Sequence, residues 1–286
     1  MVMLVAGEVV VHDPATALGR GVGDFVIELR RGAGIGHRPL HLIHPFEGHV
    51  YVYQDLVDAL GGDEPVRGIR ARGVAAGEEP FADVAAMARH HVDVLLASQP
   101  EGPYLLGGSS LGGTVAWAMA HELHARGREV ALLFLIDTFG PGHMPPRPAD
   151  DAELLQLVAP GRFTARELAE VGAEEALRRA LAEAIAGAPL PAEDPTVLSD
   201  RYVRLMRCHT EAFFDYQPPP YPGEAIFFRA AERRPSDPEY PERAWTELAA
   251  GLTVYTVPGD HTTINQRPQV TAIGNKLRLW LDRLQG

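Results

Sequence analysis

Among the 286 residues, the stretch Gly108-Ser109-Ser110-Leu111-Gly112 limits the possible folds more than any other. It fits the pattern G-x-S-x-G, which sets a serine on a tight turn between a strand and a helix. Tyr104-Leu105-Leu106, just before it, is a short apolar run suited to a buried parallel strand. Thr114 to Ala125, just after it, reads as a helix closed by Gly127. Glycines on both sides of the serine let the turn adopt a strained conformation and let strand and helix backbones approach closely. A glycine-rich turn holding an ordinary serine is the plain alternative, and the strand and helix on its flanks argue against it.

The rest of the chain has the same rhythm. Residues 1–22 carry little pattern and read as a leader or linker, with one domain expected over residues 23–286. Asp24 to Arg30 alternates as a half-buried edge strand would. Pro39 to Pro45 is a second strand ending in the turn Phe46-Glu47-Gly48, followed by a helix from Val50 to Leu60 and a strand from Val66 to Arg70. Pro80 to Ser98 is an amphipathic helix, with Val84, Met87, His91, Val92 and Leu95 on one side. Val130 to Ile136 is a fully buried strand ending at Asp137. Strands alternating with helices predict a mostly parallel sheet covered on both faces.

After Asp137 the alternation stops. Pro141, Pro145, Pro146 and Pro148 mark a linker, and no strand pattern returns before Glu224. Helices are predicted from Asp150 to Val158, from a capping box at Thr164 and Glu167 to about Ala186, and from Ser199 to Tyr216. This helical insertion, about 143–222, reads as a lid, or equally as a helical subdomain with no gating role. Strands at Glu224 to Ala230 and Leu252 to Val257, the turn Pro258-Gly259-Asp260-His261 and a helix from Pro268 to Leu284 complete the domain.

Composition narrows the classes of function. A net charge of -12 argues against a nucleic-acid partner. The N-terminus lacks a basic region, and the longest apolar run, Ala131 to Ile136, is far too short to span a membrane. One cysteine, Cys208, excludes an intrachain disulfide and suits a reducing compartment, so a cytoplasmic chain without a membrane partner is expected.

A serine is a poor nucleophile unless a base lies within hydrogen-bond reach, and that base needs an orienting group. Ser110, Asp137 and His261 supply the order serine, acid, histidine, each at the end of a predicted strand. Of the twelve histidines, His261 is the best base, in a turn directly after the last strand. Glu232 is the rival acid and Asp260 a weaker one. Asp137 is preferred because a charge ending so apolar a strand needs a reason. Two N–H donors for a developing oxyanion are expected from Leu111, directly after the serine, and Phe46, in the early turn. His41 and His44 are too poorly disposed to share a metal, His90 and His91 fall on a helix, and no metal site is expected.

Leu42-Ile43-His44-Pro45, Gly102 through Gly113, Leu135-Ile136-Asp137, Tyr216 through Gly223 and Val257 through His261 together carry a resemblance. The chain resembles the thioesterase domains that release products from modular polyketide synthases and nonribosomal peptide synthetases. The resemblance implies an α/β-hydrolase fold and a two-step acyl transfer through Ser110, with His261 as base and Asp137, on the strand following the nucleophile's unit, as acid. It implies no bound cofactor. Substrate would arrive as a phosphopantetheine thioester on an acyl or peptidyl carrier protein, in cis or in trans, for release by hydrolysis or cyclisation. Carrier proteins are usually acidic, so a net charge of -12 favours delivery by covalent tethering or by a local basic patch (Arg67, Arg70 and Arg72, or Arg233 and Arg234), although such arginines are more often plain solvated surface. Phe46 and Glu47 replace the small residues usual after His-Pro, and Thr262 follows the histidine where an aromatic is common. Glu47, Ser109 and Thr262 are therefore candidates at the substrate entrance. A stand-alone editing thioesterase or serine esterase, and a binding module that has lost catalysis, are the rival readings.

Overall fold

The computed structural model describes residues 22–32, 37–185 and 194–285. All but the last residue of the expected leader lies outside that range. Seven strands form one sheet: β1 (Val26–Arg30), β2 (Leu40–Ile43), β3 (Val66–Ile69), β4 (Tyr104–Ser109), β5 (Val130–Ile136), β6 (Tyr221–Ala230) and β7 (Ala249–Val257). Their order is β1-β3-β2-β4-β5-β6-β7. All neighbours run parallel except β1, which pairs antiparallel with β3 at the edge its alternating sequence predicts.

Period-two alternation within the apolar strands builds two cores. Leu42, Leu105, Phe134 and Phe228 point to one face, where they meet α1 (Gln54–Leu60) and α9 (Val270–Gln285). Ile43, Leu106, Leu135 and Phe227 point to the other, against α2 (Val84–Ser98) and α3 (Leu111–Ala125). Strands buried on both faces must be apolar throughout, which is why β4 and β5 read as unbroken runs. Each fully buried Leu or Phe contributes roughly 1.5–3 kcal/mol, so the central strands dominate stability.

Several boundaries differ from the sequence reading for local reasons. Helix α2 starts at Val84 rather than Pro80, because the Asp83 side chain accepts the Ala86 N–H at 2.6 Å and caps it there. A 3-10 turn, Tyr51–Tyr53, precedes α1. The insertion holds α4 (Asp151–Val158), α5 (Ala165–Val171), α6 (Ala173–Ile185) and α7 (Pro195–Asp215). The capping box forms as expected at Thr164 and Glu167, but the single helix predicted after it is two, broken at Gly172 with φ 82. A short helix, α8 (Arg243–Thr246), was not signalled by the sequence and seats Trp245.

Parallel strands bring their C-terminal ends to one edge of the sheet, where ligands of such folds bind. The segments after β2, β4, β5 and β7 therefore deliver His44-Pro45, Ser110, Asp137 and His261 to one place. Helices α4 and α7 supply Leu157, Val158 and Phe213 above it.

Candidate active site

Ser110 occupies the turn between β4 and α3 with φ 54 and ψ -125, a conformation that costs a non-glycine residue about 1–3 kcal/mol. The surroundings enforce it. A Cβ on Gly108 would lie 2.4 Å from the Gly112 carbonyl, and one on Gly112 would lie 2.4 Å from the Ile43 oxygen. The N–H of Ser110 donates to Ile136 O at 3.0 Å. Next to it, the Ser109 N–H donates to the Tyr53 hydroxyl at 2.8 Å, which in turn donates to Ile43 O at 2.7 Å. One buried tyrosine thus fastens the turn to the neighbouring strand.

His261 Nδ1 lies 2.8 Å from Asp137 Oδ2, and its Nε2 lies 3.1 Å from Ser110 Oγ. A carboxylate can only accept, so Nδ1 carries the proton and Nε2 is left to accept from the serine. Asp137 is fully buried. Burial alone would push its carboxyl up. Hydrogen bonds and charge from His261 and Arg233 outweigh burial and hold it below the usual carboxylate range. Its other oxygen accepts from Arg233 Nη2 at 2.5 Å and from the Ala230 N–H at 2.9 Å. Glu232, the rival acid, is exposed. Asp260 spends its carboxylate on the N–H and hydroxyl groups of Thr262 and Thr263. The ring of His261 stacks on Phe139, centroids 4.6 Å apart.

Phe46 lies in a turn closed by the Gly48 N–H donating to Pro45 O at 3.0 Å. His44 Nδ1 is 2.9 Å from the same oxygen and must donate to it. Two donors on Pro45 O fix the peptide whose other end is the Phe46 N–H, and a trans peptide points that N–H the opposite way. His44 Nε2 then accepts from His91 Nε2 at 3.1 Å, and His209 of α7 donates through Nδ1 to Phe46 O at 2.7 Å. His44 and His209 stack at 5.3 Å. Burial first, then the neighbouring ring's charge, takes His44 down to about 3. Burial takes His209 to about 4. It also holds His91 well below its ordinary value, with His44 adding to the effect. The early turn therefore rests on three neutral histidines.

A cavity of about 210 Å³ opens over the serine. Ser110, His261, Phe46, Glu47 and Thr262 line it together, with Phe139 and Phe213 across from them. Thr262 is exposed at its rim and Glu47 is half-buried. Ser109 forms wall rather than entrance, because it is buried and its hydroxyl accepts from Asn265 at 2.8 Å. Leu111 is fully buried at the first turn of α3.

Of the arginines that could form a basic patch, three are committed elsewhere. Arg70 is buried in an ion pair with Glu78 at 2.8 Å and lies over the Phe25 ring. Arg233 is committed to Asp137, and Arg234 pairs with Asp237 at 2.9 Å. Each of these cations has an internal anion to neutralise, which a run of arginines read along the sequence does not reveal. Arg233, Phe139, Asn265 and His209 are the neighbours of the site that sequence reasoning did not place there. Asp137 lies 96 residues from Arg233 and Phe46 lies 163 from His209, so no local pattern announces these contacts. Among the described residues no cluster of three or more His, Cys, Asp or Glu could hold a metal ion, and no helix is long and apolar enough to cross a membrane.

Residues 38–281 match the family model described as Thioesterase domain. Two curated relatives are the dimodular nonribosomal peptide synthase of Bacillus subtilis (strain 168) and enterobactin synthase component F of Escherichia coli (strain K12). The first is 34% identical over 67% of this chain, and the second 30% identical over 91%. The chain spans 8% and 18% of their lengths. Among solved structures, a four-domain nonribosomal peptide synthetase bound to AMP and glycine superposes with a TM-score of 0.77 at 29% identity, covering 89% of this chain and 20% of that one. The type II thioesterase of the yersiniabactin pathway gives 0.71 at 18% identity over 92% of this chain and all of its own, a likeness of fold alone.

Proposed function

Since the chain belongs to the Thioesterase domain family and has its α/β-hydrolase architecture, we propose that it takes an acyl chain from a carrier-protein phosphopantetheine thioester onto Ser110 and then releases it. The observation that supports this most is the chain of contacts from Ser110 Oγ through His261 to the buried Asp137. In the first step His261 Nε2 accepts the serine proton as Oγ attacks the thioester carbonyl. The N–H groups of Phe46 and Leu111 receive the negative charge that develops on the carbonyl oxygen. Collapse breaks the carbon–sulfur bond, and the departing thiolate takes the proton from His261. In the second step His261 deprotonates water, or a hydroxyl or amine of the acyl chain, as that group attacks the ester carbonyl. Collapse breaks the bond from the carbonyl carbon to Ser110 Oγ, and His261 returns the proton to Oγ, restoring the free serine. Asp137 holds the ring and balances its transient charge, and Arg233 holds Asp137.

Helices α4 to α7 act as the lid in this reading, because residues from α4 and α7 wall the cavity over the serine. Carrier proteins are usually acidic, so tethering in one polypeptide fits a chain of net charge -12 better than diffusion does. Chain release at the end of an assembly line is the reading preferred here. Editing of stalled carrier-bound chains uses the same chemistry and is the alternative.

Intact-mass spectrometry tests the proposal. Wild type and Ser110→Ala are incubated with a panel of acyl-pantetheine thioesters and with acyl-loaded carrier protein. An acyl adduct on wild type alone supports Ser110, and the product mass separates hydrolysis from cyclisation. No adduct and no turnover from any donor, with the fold intact, overturns the reading in favour of a binding module.

A further inference from the structure

A second cavity of about 280 Å³ lies beside the one over the serine. Phe139 and Phe213 line both, so the two cavities adjoin at these rings. Past them the walls include Thr114, Met144, Tyr216 and Trp245. The indole N–H of Trp245 is spent on Thr138 O at 2.8 Å, and the ring packs on Trp117 at 4.9 Å. Burial raises the Tyr216 phenol and keeps it neutral. Thr114 differs from the rest. It is 3% exposed, and its hydroxyl oxygen is buried with no hydrogen-bond partner among the described residues. A buried hydroxyl left unsatisfied costs about 1–3 kcal/mol, which a bound hydrogen-bonding group would recover.

The position of Thr114 gives the direction of travel. Its N–H donates to Ser110 O at 3.3 Å, one turn into the helix that Ser110 caps. Four residues of helix rise about 6 Å, roughly the span of four or five chain atoms. We propose that the second cavity is the subsite for the distal part of the acyl group carried on Ser110. It would take one aromatic ring or one branched aliphatic side chain, bearing a single hydrogen-bonding atom that meets the Thr114 hydroxyl. Volume sets the size limit: an apolar cavity of ~150 Å³ already holds benzene, so this one takes a ring with a few linking atoms and not two rings. The assignment rests on Ser110 being the acylated residue.

Labelling rates with fluorophosphonates test it without any carrier protein. Ser110 Oγ attacks phosphorus, the phosphorus–fluorine bond breaks, fluoride leaves and His261 takes the serine proton. The probes are methyl, 4-phenylbutyl and 4-(4-hydroxyphenyl)butyl fluorophosphonates, and the readout is the ratio of their second-order labelling rates. In wild type the phenylbutyl to methyl ratio is expected to be at least about ten, in line with what small apolar groups gain in a fitted pocket. Met144→Trp, which fills the cavity, should bring that ratio to about one. Thr114→Val, which conserves volume, should lower the hydroxyphenyl to phenyl ratio by roughly tenfold and carries the test if Met144→Trp does not fold. A wild-type ratio near one, or a ratio that survives both substitutions, overturns the subsite while leaving the Ser110 reading intact. Absence of labelling by every probe on folded wild type overturns the Ser110 reading and this one with it.

Discussion

Acidification should remove a large share of this protein's stability at a pH where most carboxylates are still ionised. His41, His44, His91 and His209 are all fully buried. Burial dominates each shift, taking His41 and His44 to about 3, His209 to about 4 and His91 well below its ordinary 6.5. In the unfolded chain each has a pKa near 6.5. Below that value the unfolded state takes up protons that the native state refuses, so stability falls with pH until the folded values are reached. Going from about pH 7.5 to about pH 5.5 costs each histidine between about 1 and 2 kcal/mol, and the four together about 5 kcal/mol. His49 and His90, also lowered by burial, act with the same sign. Asp137 and Glu78 are lowered carboxylates whose contribution is lost only at lower pH. Domains of this kind are stable by about 5–15 kcal/mol, so the loss is a large share of the total. Urea unfolding followed by fluorescence of the three tryptophans measures it directly. His41→Leu should remove about a quarter of the pH slope. A stability that changes by less than about 1 kcal/mol over this range, or a slope that His41→Leu leaves untouched, would refute the reasoning.

Three further outcomes follow from the site. Arg233→Leu takes a cation from Asp137, so kcat should fall about tenfold or more with KM little changed, and activity should be lost at higher pH on the acid side as the Asp137 carboxyl rises; a steady-state pH profile checks this. Gly112→Ala puts a methyl against the backbone of Ile43 and His44, and since neither backbone can move cheaply it should destabilise by about 2 kcal/mol or more in the same urea assay. Tyr53→Phe leaves the Ser109 N–H and Ile43 O without their shared partner. It should cost about 2–4 kcal/mol and slow Ser110 labelling by a methyl fluorophosphonate, whereas an unchanged melting temperature would show that the tyrosine does not fasten the turn.

The sequence revealed the sheet because β4 and β5 are apolar on both faces, and such runs have few other uses in a chain with this strand–helix spacing. The turn holding Ser110 was legible for a similar reason: glycines at 108 and 112 are demanded by backbone contacts that no other residue would tolerate. Local chemistry set the boundaries that were missed, as at Asp83, which caps α2 four residues inside the expected start, and at Gly172, which splits one predicted helix into two. The arginines were misjudged for a different reason. Arg233 meets Asp137, 96 residues away, only once β5 and β6 are paired, whereas the partners of Arg70 and Arg234 lie only 8 and 3 residues on and depend on how the local turn folds. Of the histidines behind Phe46, His91 was readable on the apolar side of its helix, but the connected group was not, since His209 arrives from the insertion.

That last contact bears on how such chains can diverge. If specificity is varied by exchanging the helical segment between β5 and β6, the exchange here is not free of the catalytic edge. Helix α7 brings the hydrogen bond from His209 to Phe46 O, so a replacement cassette lacking a donor at that point would leave a carbonyl of the early turn unanchored. Grafts that keep α7 and vary α4 to α6 should retain the rate of the chemical step, and those that replace α7 should lose it even where the new pocket fits its substrate.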